Sequence, residues 1–127
     1  MADKAFFRFR DFPVYQEARK FRIRAKTLSR KFPVKEQYVL TPQLWRALDS
    51  VLLNIAEGSE QYSDKDFSHF LNNSFTSLGE VVSCFDLAFD DGYITQKELD
   101  DISTDAEALG KQLKAFSAYV RKQRKDN

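Results

Sequence analysis

From Leu99 to Val120 the apolar residues Leu99, Ile102, Ala106, Leu109, Leu113, Phe116 and Val120 alternate between spacings of three and four. Only an α-helix gathers such a series on one face, because about 3.6 residues complete each turn. An apolar stripe of this kind must be buried against other elements, so it dictates a packed partner as well as a helix. Thr95-Gln-Lys-Glu98 stands in front of it as a capping box, in which a hydroxyl and a carboxylate each answer a free N–H. This is helix four of the chain.

The same rhythm recurs three times upstream. Val14, Ala18, Phe21, Ala25, Leu28 and Phe32 form a seam that predicts helix one over about Phe12 to Lys31. Asp11 is its expected N-cap, and Pro33 ends it by disfavouring helical geometry at Phe32. Helix two is predicted from about Pro42 to Glu57, with Thr41 as cap, Pro42 at the first position and Gly58 in a left-handed terminating conformation. Leu44, Leu48, Val51, Leu52 and Ile55 share its inner face. Ser63 opens helix three, whose broad apolar face (Phe67, Leu71, Ser74, Leu78, Val81, Phe85, Ala88) suits burial by more than one neighbour. Gly92 supplies its C-terminal turn. Short connections between these helices predict an all-α, antiparallel, up-down-up-down four-helix bundle. One domain over residues 1–127 is expected, with residues 1–10 as an arm and 121–127 as a charged, fraying tail.

Composition removes several functional classes. Four glycines and three prolines leave little material for tight turns, and no apolar run approaches the roughly 20 residues that span a bilayer. No membrane partner and a cytoplasmic setting are therefore expected, and the lone Cys84 reads as a packed small hydrophobe. A di-iron centre needs two Glu-x-x-His pairs, whereas this chain has one histidine, His69. Cys84 and His69 lie about 22 Å apart along one helix, too far for a nucleophile and its base. Glycine-rich phosphate loops are absent from the sequence. No catalytic residue, metal or cofactor is expected, and the chain does not read as an enzyme.

The charged and polar residues off the helix seams carry what remains. Arg46, Ser50, Leu53 and Glu57 form a stripe off the core face of helix two, with Asn54 nearby. Glu57 in the last turn opposes the negative end of the helix dipole, and Arg46, about 16 Å away along the helix, cannot answer it within the chain. A basic residue of a neighbouring copy could do so in a symmetric oligomer. Tyr15 and Ile23, off the seam of helix one, add apolar surface for such a contact. Charge is also unevenly spread. Arg19 to Lys35 holds eight basic residues and no acid, while Asp86 to Glu107 is acidic apart from Lys97. The two blocks either attract each other or leave Arg19, Arg22, Lys26 and Arg30 free to neutralise the phosphates of RNA or DNA.

Several pieces, taken together, resemble the four helix bundle protein family. They are Phe9-Arg-Asp-Phe-Pro-Val-Tyr-Gln-Glu-Ala18, Leu44-Trp-Arg-Ala47, Asn54-Ile-Ala-Glu-Gly58, Phe67-Ser-His-Phe-Leu71 and Ser77-Leu-Gly-Glu80. That family includes proteins encoded in intervening sequences of 23S ribosomal RNA genes, and it is related to the accessory variability protein of diversity-generating retroelements. The resemblance implies a ring of four-helix subunits, commonly a homopentamer, with no established catalytic activity. It also implies Arg46, Asn54, Glu57, Gly58 and Glu80 as signature positions, read here as subunit-interface residues. In the retroelement relatives, nucleic acid and a reverse transcriptase are partners of the basic surface. This chain departs from the pattern at Trp45, where a second arginine is common, and over Ser59 to Tyr62, where relatives place glycine and arginines. The expected function is thus a homo-oligomeric scaffold or adaptor, with a nucleic-acid-binding accessory protein as the alternative.

Overall fold

The computed structural model describes residues 5–123. Four helices make up most of it: α1 (Pro13–Ser29), α2 (Leu40–Ser59), α3 (Asp64–Asp90) and α4 (Gln96–Gln123). Short 3-10 turns precede α1 (Arg8–Asp11) and α2 (Val34–Tyr38). Each helix turns its apolar seam inward, and Phe21, Leu44, Ile55, Leu71, Phe85 and Leu113 are almost wholly buried. No strand occurs among the described residues, and no helix among them is long and apolar enough to cross a membrane.

Contacts between neighbours fix the direction of every helix. Arg22 reaches Asp49 and Lys26 covers Trp45, so α2 runs back along α1. Ser74 donates to the Val51 carbonyl at 2.7 Å and Ser50 meets Ser77 at 2.8 Å, so α3 reverses again. Phe67 lies edge-on to Phe116 while Phe75 approaches Gly110, which reverses α4. The bundle is therefore antiparallel throughout. The α2–α3 and α3–α4 pairs are the most intimately packed, and α1 lies more sparsely against its two neighbours.

Several termini differ from the sequence expectation. Phe12, not Asp11, occupies the N-cap of α1 and offers no side-chain cap. The Asp11 carboxylate accepts instead from the Ala5 N–H at 3.2 Å. Helix α2 begins at Leu40, ahead of Thr41, since the Leu40 N–H already finds the Glu36 carboxylate at 3.3 Å. Gly58 does not terminate α2 in a left-handed conformation; it lies inside the helix, and Gly92, with φ 81°, is the one described residue of positive φ. The described part of the arm is docked through Arg8, which donates to the Ser59 carbonyl and lies over Phe12 and Phe67. Helix α4 continues to Gln123, into the segment expected as a charged tail; residues 1–4 and 124–127 lie outside the described structure. Ser63 and the Thr95–Glu98 box cap their helices as expected.

Glu36 joins three elements. One carboxylate oxygen accepts from the first turn of α2, and the other accepts from the Tyr93 hydroxyl at 2.5 Å. This hydrogen bond, then desolvation and the charges of Glu36 and Asp91, push the Tyr93 hydroxyl from the ordinary 10 up to about 12. A raised value in the fold means stability that is intact below the unfolded value and lost as pH rises through the folded one. Tyr93→Phe is expected to flatten the decline of Tm between pH 10 and about 12. In an absorbance titration of the wild type, one of the five tyrosines should ionise last. An unchanged alkaline profile in Tyr93→Phe would remove this role.

Candidate interaction surface

The outer face of α2 carries the polar stripe expected from its sequence. Arg46, Leu53 and Glu57 are exposed, and Ser50 and Asn54 are half-buried beside α3. Asn54 Nδ2 donates to the Ser50 carbonyl at 2.8 Å and to Ser50 Oγ at 3.0 Å, and Ser50 Oγ pairs with Ser77 Oγ. The amide thereby bonds back within α2, and the link to α3 is the Ser50–Ser77 hydroxyl pair. One turn from Ser50 lies Arg46, and one turn from Ser77 lies Glu80, so antiparallel packing brings these two to the same level of the α2–α3 surface. Among the described residues, no ion pair is made by Arg46, Glu57 or Glu80. Glu80 contributes to raising the buried Cys84 thiol, after desolvation as the larger cause.

Gly58 serves close approach. A Cβ built there would meet Phe70 Cβ at 2.8 Å and Phe67 Cδ1 at 2.9 Å. The signature stretch therefore divides its labour: Asn54 holds the Ser50 hydroxyl that meets α3, Glu57 is exposed, and Gly58 admits the first turns of α3.

Basic residues of α1 divide similarly. Arg22 is paired with Asp49 at 2.8 Å. Lys26 sits 3.9 Å from the Trp45 ring, and the indole N–H donates to Ser29 Oγ. Arg24 pairs with Asp105 and Lys31 with Glu98, so the basic and acidic blocks do meet, across α1 and α4. The Lys31 contact, then hydrogen bonds from Thr95, hold the Glu98 carboxyl below its usual range. Arg19 and Arg30 are exposed and without an ion pair among the described residues.

Two surface grooves flank these residues on opposite sides of the bundle. The first, of about 390 Å³ between α1 and α2, brings Tyr15, Arg19, Ile23 and Leu53 together. Ile23 and Leu53 are 63% and 64% exposed, which makes them protruding apolar ridges. The second, of about 600 Å³ between α3 and α4, is walled by Phe75, Val82, Ala106 and Gly110, with open space above Gly79. Sequence reasoning assigned no groove to Gly79 and Gly110. Their signal is a glycine inside an unbroken helical rhythm, where it costs roughly 1 kcal/mol against alanine and needs a packing reason.

The described residues hold no cluster of three or more His, Cys, Asp or Glu suited to a metal ion. His69 is exposed on α3, whereas Cys84 is buried on it.

A family model described as the 23S rRNA-intervening sequence protein matches residues 10–115. Among solved structures, the chain is similar to a protein of unknown function from the S23 ribosomal protein family of Bacteroides thetaiotaomicron. That match has a TM-score of 0.73 and 26% identity, and covers 82% of this chain and 97% of the other. No curated protein matches the chain.

Phe70 Cβ belongs to the α3 backbone framework and cannot swing away, so Gly58→Ala must push α2 and α3 apart. The expected loss is about 1–3 kcal/mol with the far-ultraviolet spectrum retained, measured by thermal or urea unfolding. Unchanged stability would deny the close approach its importance.

Proposed function

This chain belongs to the 23S rRNA-intervening sequence protein family, and on that footing we propose that it is a non-enzymatic homo-oligomeric scaffold or adaptor, in its most specific form a pentamer. The observation that carries the reading is the outer face of α1 and α2. It presents Ile23 and Leu53 as protruding apolar side chains beside Arg46 and Glu57, which make no ion pair among the described residues. Exposed apolar residues set among unanswered charges have the character of a surface completed by a partner. The pentameric number rests on the resemblance of the signature residues.

The accessory nucleic-acid reading draws on Arg19 and Arg30, both exposed. It is weakened by Arg22 and Lys26, which are already engaged by Asp49 and Trp45 in the same subunit. With two of the four α1 candidates engaged, fewer phosphates would be neutralised there and the dependence of affinity on salt would be shallower.

Light scattering is expected to give a mass near five times the 14.8 kDa subunit, and a clean monomer at micromolar concentration would end the oligomer reading. Glu57→Lys should reduce assembly and leave helicity unchanged. Titration with single-stranded RNA and duplex DNA at several salt concentrations tests the alternative. Binding that strengthens at low salt and weakens in Arg19→Ala/Arg30→Ala would favour it, and no binding at low salt would dismiss it.

A further inference from the structure

Apolar surface that the bundle leaves uncovered is concentrated in the connection between α1 and α2. Val34 and Tyr38 are 82% and 83% exposed, and Val39 and the single tryptophan, Trp45, are exposed beside them. The connection that carries them is braced from beneath. Phe32 packs on Phe85 and Tyr93, and Glu36 joins the first turn of α2 to the Tyr93 hydroxyl. Trp45 is held as well: its indole N–H donates to Ser29 Oγ, that hydroxyl donates to the Lys26 carbonyl, and the Lys26 ammonium covers the ring. Between the braced turn and Trp45 lies a groove of about 390 Å³. Pro33, Val34, Pro42 and Trp45 line it, and Arg30 is its one charged lining residue.

Charge and shape select the occupant. From Ser29 to Trp45 the chain carries Arg30, Lys31 and Lys35 against one acid, Glu36. Glu36 is engaged by Tyr93, Glu98 takes Lys31, and Asp49, one turn beyond Trp45, is taken by Arg22. The charge of Asp91 acts on Tyr93, and Asp91 does not line the groove. Arg30, Lys35 and Arg46 make no ion pair among the described residues. A partner here gains from acidic groups and loses from basic ones. The α2 wall, Thr41 to Trp45, is a single helical turn of about 6 Å, whereas a docked helix needs about 10 Å between its anchors at i and i+7. An extended chain sets about two residues over the shorter length, and walls of tryptophan and proline suit its polyproline II form. Nucleic acid fits less well. Lys26 already covers one face of Trp45, and a single lining cation is too few for a phosphate backbone. We propose that this groove is a docking site for an extended, proline-containing peptide segment that carries acidic residues. The site stands whether or not the chain assembles, since Ile23, Leu53 and Glu57 lie outside it.

Selection from a library of random peptides displayed on phage tests the site, with the full chain as bait and its Val34→Asp variant as counter-bait. Enriched sequences are expected to combine proline and apolar residues with aspartate or glutamate. Trp45 is the only tryptophan and lines the groove, so its emission reports occupancy when a synthetic copy of an enriched peptide is titrated. Arg30→Glu and Val34→Asp should each weaken that binding at least about tenfold. Their melting curves should match the wild type, because both side chains are exposed. Added salt should weaken binding as well, and Glu57→Lys should leave it unchanged, which separates the result from the fate of the oligomer reading. No enrichment, enrichment of basic sequences, or peptides that bind both variants as tightly as the wild type would overturn the proposal. Single-stranded RNA that shifts the Trp45 emission where no peptide does would give the groove to nucleic acid and overturn it too.

Discussion

Everything in this fold depends on how closely α2 and α3 can approach. Their axes are drawn together where Gly58 leaves no side chain between α2 and the Phe67–Phe70 turn, and held where the wholly buried Ser74 hydroxyl reaches the Val51 carbonyl. A buried hydroxyl without a partner would cost about 1–3 kcal/mol, so this bond also fixes the rotation of α3 about its axis. With α3 so oriented, Phe75 and Val82 face α4 while Ser77 and Glu80 face outward beside α2. The polar link of Asn54, Ser50 and Ser77 closes the outer edge of the same contact. Core packing and surface pattern are thus set by one helix pair.

Much of this was legible in the residues. Apolar spacing gave four helices and their inner faces because periodicity reports burial directly. The Ser63 and Thr95 caps were legible because their chemistry is local. Gly58 was misread for a physical reason: a glycine after a helical run signals either a left-handed stop or a close neighbour, and only the position of Phe70 distinguishes them. The start of α2 was misplaced because its first N–H is satisfied by Glu36, four residues upstream, and no local cap was needed. On the surface, Arg46, Glu57 and the ridge residues were legible as a stripe off the core. The α3–α4 groove was not, since an absence of side-chain volume leaves little trace in a hydropathy pattern.

Charge on this molecule is sorted by geometry. The acidic block of α4 divides between two faces of its helix. Glu98 and Asp105 turn toward α1 and take up Lys31 and Arg24, while Asp100 and Glu107 stay on the far stripe. Ion pairs this exposed contribute about 0–1 kcal/mol each, so they select the neighbour of α1 more than they stabilise it. A net charge of +1 gives no hint of this ordering.

The sparse packing of α1 has a dynamic meaning. Its buried seam is built largely from small or short side chains (Val14, Ala18, Ala25) around the single large Phe21, and its flanks rely on contacts that salt screens. Helix α1 is therefore the least costly cooperative unit to detach from the bundle, and its amides should exchange with solvent through openings that leave α2, α3 and α4 folded.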